Sequence, residues 1–184
     1  MWWHRIIIFF LVILIFIIHN SFIINLPLFF QYLDVLLLIV ILILVLYGWQ
    51  RALYLGLFFG LLVDMHSFYF FGLNIISIIG AVIIANIFLT KFFTNRSFYS
   101  FILITLTTVL SYEILKLFIL FINNFIFKNL PYPLVLNINY FLTLFYKLTV
   151  NAIAVIIIFY IATYFSKALK PFIIIKSKTT TRYE

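Results

Sequence analysis

The chain reads as an all-α polytopic membrane protein, a bundle of about six transmembrane helices with both termini in the cytoplasm. Of its 184 residues 67% are hydrophobic and only 9% are charged, against roughly 45–50% and about 25% in soluble domains. Apolar runs of about 18–22 residues recur along it, the length that crosses a hydrocarbon layer roughly 30 Å thick. Most of its basic residues stand at the ends of those runs. No water-soluble fold of this size covers so much apolar surface with so little polar surface.

The first helix is expected over 6–24. Met1-Trp2-Trp3-His4-Arg5 and the apolar stretch Ile6 to Ile18 have the shape of a signal peptide. The following His19-Asn20-Ser21-Phe22 offers no small-residue cleavage site, so a retained span is predicted. The second helix, 28–47, has Pro27 at its entry, and Gly48 turns the chain into the third. That third helix, 50–64, is only about 15 residues or roughly 22 Å long, and the aromatic stretch Phe68 to Phe71 is expected to complete its crossing. The fourth covers 73–91 and the fifth 98–122. Asn123-Asn124 and Pro131-Tyr132-Pro133 break the fifth from the sixth, 142–166, across a loop of about 123–141. Residues 1–171 form one domain, and 172–184 form a basic cytoplasmic tail, flexible or lying on the membrane surface.

Charge supports this count. With six spans and the N-terminus inside, Arg5, Arg51, Lys91, Arg96, Lys167, Lys170, Lys176, Lys178 and Arg182 are cytoplasmic. Lys128 alone is outside, and Lys116 and Lys147 fall within spans, which accounts for the 12 basic residues. This is a positive-inside bias; five spans would move the lysine-rich tail outside.

The formal net charge of +8 would raise nucleic-acid binding in a soluble protein, but here it meets headgroups, and no nucleic-acid partner is expected. The absence of cysteine excludes disulfides, thiolate catalysis and cysteine-ligated metals. No Ser/His/Asp set, phosphate loop or zinc-ligand spacing occurs, and His4, His19 and His66 are scattered. No catalytic, cofactor-binding or metal-ligating residue is therefore assigned, and the chain is read as a non-enzyme.

The candidates that remain are packing and polar residues. Gly56 and Gly60 stand one helical turn apart, a pair that lets another backbone approach closely, either within this chain or from a partner's helix. Ser77, Ala81 and Ala85 form a similar stripe on the fourth helix, with Gly80 beside it. Asp34 and Asp64 fall at the outer interface. Asp64 is either an interfacial acid near His66 or the residue that fixes the loop running to Gly72. Glu113 and Lys116 project from nearly one face of the fifth helix, and Thr143, Lys147 and Asn151 make a polar stripe on the sixth. Unpaired charges at that depth are expensive, so Glu113 is expected to pair with Lys147 or Lys116.

One segment resembles a known family. Asp34 before Val35 to Leu46, then Gly48-Trp-Gln-Arg51, Gly56-x-x-x-Gly60-Leu61-x-x-Asp64 and Gly72-Leu73 are similar in order and spacing to the rod shape-determining protein MreD family. The chain looks like a divergent member, with Leu33 where the family usually has proline and His66 to Phe71 where it has small or turn residues. The resemblance implies a component of the peptidoglycan elongation machinery, the elongasome, in the bacterial cytoplasmic membrane. The implied partners are a MreC-like bitopic scaffold, a MreB-like filament, a RodA-like polymerase and a penicillin-binding transpeptidase, besides membrane lipids. It also implies a fold similar to the substrate-binding subunits of energy-coupling-factor transporters. Taken literally, that likeness gives a rival reading, a solute-binding subunit with a polar pocket near Glu113, Lys116, Lys147 and Asn137. The lack of alanine or glycine in the first span argues against it.

Overall fold

The computed structural model describes residues 10, 12–23, 30–92, 98–126 and 138–165. Among them are six α-helices and no strand: α1 Val12–Ser21, α2 Val35–Tyr47, α3 Trp49–His66, α4 Leu73–Lys91, α5 Phe98–Ile126 and α6 Ile138–Phe165. Three helices are long and apolar enough to cross a membrane: Leu73–Lys91, Tyr99–Ile126 and Ile138–Ile161. The basic tail, Pro27, Asn137 and most of the predicted loop between the last two helices lie outside the described residues.

Four boundaries differ from the sequence reading, each for a local reason. α2 begins at Val35 rather than near 28, and Phe30–Tyr32 form a 3-10 turn. The Tyr32 carbonyl, which a continuing α-helix would offer to the amide four residues on, accepts instead from Asn151 Nδ2 at 3.1 Å. α3 runs on to His66 and spans 18 residues, roughly 27 Å. It stops there because Ser67 turns into extended backbone (φ −84°, ψ 149°). Phe68 to Phe71 therefore form a connecting loop and do not prolong the span, and Phe68 is 93% exposed. α5 continues through Asn123-Asn124 to Ile126; asparagine lowers helix stability by well under about 1 kcal/mol, and no glycine or proline intervenes. α6 starts at Ile138 rather than 142.

α4 is the hub, packed most extensively on α5 and α3 and touching α2 as well. The core joins Leu37, Val40, Ile41 and Leu44 of α2 to Phe59, Val82, Val109 and Val155 of the other helices. α1 lies at the edge, with Val12, Ile15 and Phe16 against this core and the Phe16 ring edge-on to His66 at 6.3 Å.

The two glycines of α3 are used inside the chain. A Cβ on Gly60 would lie 2.7 Å from the Ile75 Cα, and one on Gly56 would lie 3.0 Å from Ile78 Cγ2. The α3 face thus meets Ile75, Ile78 and Val82 of α4, and Ser77, Ala81 and Ala85 are buried on an adjoining face. Gly72 is not a packing residue. It begins α4 at φ +102°, a left-handed conformation that costs an L-residue about 1–2 kcal/mol.

Candidate functional site

Among the described residues Asp64, Asn74, Tyr112, Glu113 and Asn151 are buried near one level, the height at which α3 ends and α2 and α4 begin, while the buried Ser100, Thr105 and Thr108 lie further toward the start of α5. Asp64, 4% exposed, sits in the last turn of α3 and receives four hydrogen bonds from the start of α4. Gly72 N donates to Oδ2 at 3.0 Å, Ile75 N to Oδ2 at 3.2 Å, Asn74 N to Oδ1 at 2.9 Å and Asn74 Nδ2 to Oδ1 at 2.8 Å. A helix N-terminus presents unpaired amides and a positive dipole end, so this carboxylate is stabilised without a basic side chain. The eight-residue interval from Asp64 to Gly72 is the length of chain that closes this corner. His66 takes no part, being exposed and turned to Phe16.

From this corner the polar contacts run on through the bundle. Tyr112 of α5 donates its hydroxyl to Asn74 Oδ1 at 2.8 Å. One residue on, Glu113 is 5% exposed and pairs with Lys147 of α6 at 2.5 Å, while Tyr140 donates to its second oxygen at 3.3 Å. One turn below Lys147, Asn151 donates to Lys147 O at 2.8 Å and to Tyr32 O, and its Oδ1 accepts from Asp34 N at 3.1 Å. Asn151 is fully buried and ties α6 to the entry of α2. A stack of Tyr32 on Tyr146, with centroids 5.6 Å apart, reinforces that tie.

Two of the predicted polar residues stand apart. Lys116 makes no ion pair with Glu113; its ammonium lies 5.3 Å from the Tyr69 ring centre and 5.8 Å from that of Tyr112. Thr143 donates to Asn139 O on its own helix and does not join the belt. Two buried side-chain atoms lack hydrogen-bond partners among the described residues: Asp34 Oδ2 and His19 Nδ1. His19 lies at the π-helical end of the first helical stretch, His19–Ile23.

The belt therefore includes Asp34, Asp64, Glu113, Lys147 and Asn151 from the sequence reading and adds Asn74, Tyr112, Tyr140, Tyr32 and His19. Tyr140 had a legible signal, since it lies seven residues from Lys147 and so on the same helical face. Asn74 and Tyr112 had none, because only the packing of α4 on α5 pairs them. Among the described residues no three His, Asp or Glu side chains are grouped to hold a metal ion. On the flank, α2 and α6 diverge around an apolar groove of about 650 Å³ lined by Leu33, Leu38, Ile39, Tyr146, Ile153 and Ile157 among others. Glu113, Lys116 and Lys147 do not line it.

The described residues form an all-helical fold in which Asp64 and Glu113 are buried and the longest helices are membrane-length. No protein family, curated protein or solved structure matches this chain.

Proposed function

We propose that the chain is a multi-pass protein of the bacterial cytoplasmic membrane. In this reading it is a non-enzymatic component of the cell-elongation machinery, maintaining rod shape by scaffolding a MreC-like partner and the wall-synthesis enzymes. Membrane residence is supported by an inverted distribution of side chains. Asp64, Asn74, Thr105, Glu113 and Asn151 are buried, whereas Phe118, Phe121, Phe125, Ile153, Ile157 and Tyr160 face outward. Only 17% of the most apolar window of α6 is covered by the rest of the chain, so its surface requires an apolar medium. The positive-inside count favours six crossings with both ends in the cytoplasm.

The observation that carries the functional reading is the MreD-like spacing over about residues 33–75. Its residues act on one another: Gly56 and Gly60 admit α4, and Asp64 holds Gly72 and the first turn of α4. With that face occupied inside the chain, outward surfaces such as those of α1, α5 and α6 are left for partner helices.

Co-purification of the tagged chain from its own membranes in mild detergent, followed by mass spectrometry, tests the proposal. A bitopic scaffold recovered with a wall polymerase or transpeptidase is the expected result. Recovery of an ATPase pair with a coupling membrane subunit would overturn it in favour of a solute-binding transporter subunit.

A further inference from the structure

α2 and α6 part around a groove of about 650 Å³. Its lining runs along α6 from Phe145 to Ile158, roughly 20 Å at 1.5 Å per residue. The floor belongs to α2, where Leu38 is buried, and the rim to α6, where Ile153 is 57% exposed and Ile157 53%. None of the described residues that line it is charged. The Thr149 hydroxyl turns back to the carbonyls of Phe145 and Tyr146 on its own helix, and the neighbouring Lys147 is directed away to Glu113 of α5. Walls of this kind stay dry, and an empty groove forfeits dispersion contacts along its whole length.

We infer that the groove seats one hydrocarbon tail of a membrane phospholipid, held in place as the element that completes the packing of α6 against α2. The rim residues Ile153 and Ile157 belong to the outward face of a membrane-length helix, so the groove is continuous with the surface that meets lipid. A single leaflet holds about half of a hydrocarbon layer roughly 30 Å thick, so a tail lying along α6 keeps its whole length in the groove. An apolar cavity of about 150 Å³ takes a benzene ring, and this groove has room for several times as many carbons. A partner's helix is the poorer fit. Helix contacts within a membrane are built on small residues, as where Gly56 and Gly60 of this chain admit α4. The groove has branched and aromatic walls, and its two small residues, Thr149 and Ala154, are not one turn apart. A free fatty acid is excluded by charge, since its carboxylate meets no cation among the lining residues, whereas a phospholipid keeps its charge in the headgroup layer. The inference rests on the membrane residence proposed above and not on the cell-elongation reading.

The test uses the full chain in phosphatidylcholine nanodiscs doped with phosphatidylcholine that carries a diazirine in one tail. After irradiation, peptide mass spectrometry reads the labelled positions. Labelling of Leu33, Ile39, Ile153 and Ile157 is expected to exceed that of the outward Phe118 and Phe121 several-fold. One phospholipid per chain should also survive detergent washing in native mass spectrometry. Ala154→Phe, which places a ring in the groove, should abolish the excess labelling and the retained phospholipid while Phe118 and Phe121 are labelled as before. If Ala154→Phe does not fold, Ile153→Trp at the rim takes its place. Equal labelling of groove and outward positions, or no retained phospholipid, would mean boundary lipid only and overturn the proposal. So would undiminished signals in the folded filling variant. Oxidative cross-linking of Ile157→Cys between copies in membranes would also overturn it, by giving the groove to a second copy of the chain. Absence of label at Phe118 and Phe121 as well as in the groove would reject membrane residence itself.

Discussion

Asp64 illustrates how an acid ends an apolar helix without a cationic partner. Its two oxygens take three backbone amides and one side-chain amide from the start of α4, and the positive end of that helix dipole adds to their effect. An asparagine of the same shape keeps one acceptor and turns an NH₂ group toward donors. Since hydrogen bonds to charged groups contribute about 1.5–3 kcal/mol each, Asp64→Asn is expected to cost roughly 3 kcal/mol or more. Denaturant unfolding of the detergent-solubilised variant checks this, and wild-type stability would show that the corner does not depend on the charge. The glycines differ in the same residue-level way. A methyl group on Gly60 meets the backbone of Ile75 at 2.7 Å, whereas one on Gly56 meets the Ile78 Cγ2 methyl at 3.0 Å, a side-chain contact that a small shift relieves. Gly60→Ala should therefore cost about 1–3 kcal/mol, the usual range for overpacking, and Gly56→Ala clearly less. Equal losses in the same unfolding assay would contradict the close approach of α3 to α4.

Between elements, the decisive link is the one that joins α6 to the rest. α6 leaves α2 across the apolar groove and is fastened to α5 by Glu113–Lys147 and to the entry of α2 by Asn151. Removing one member of a buried ion pair leaves the other uncompensated, at roughly 3–5 kcal/mol. The lower end of that range applies here, because 24% of the Lys147 side chain remains exposed. Glu113→Leu and Lys147→Leu should each lower the yield of folded protein on size-exclusion chromatography. The double variant, which removes both charges, should recover more than half of the loss. Additive losses in the double variant would mean that the two residues act separately. Asn151→Leu should loosen α6 as well, since three hydrogen bonds disappear together.

For the whole molecule, the question is which way the helices cross. The chain has no cysteine, so single cysteines can be placed without a background signal. In the six-span reading, Phe68→Cys on the α3–α4 loop lies outside and Arg51→Cys at the start of α3 lies in the cytoplasm. A membrane-impermeant thiol reagent should label the first in intact cells and the second only after permeabilisation. The opposite pattern would reverse the orientation, and labelling of both in intact cells would reject a crossing by α3.

Composition and spacing by themselves determined the helical class, the position of α4, the turn at Gly48 and the glycine approach in α3, because these depend on residues close in sequence and on a single apolar period. The same kind of information narrowed the partner of Glu113 to Lys147 or Lys116, since unpaired charges at that depth are expensive. Only the tertiary structure decided that Glu113 takes Lys147 while Lys116 rests on tyrosine rings, that Asp64 caps a different helix from its own, and that Asn151 delays the start of α2 by capturing Tyr32 O. Each of these depends on how helices pack, and some join residues far apart in the chain, with Asp34 and Asn151 separated by 117 positions. The physical reason is that a helical period states which face a residue occupies, whereas the neighbour on that face is set by how whole helices pack.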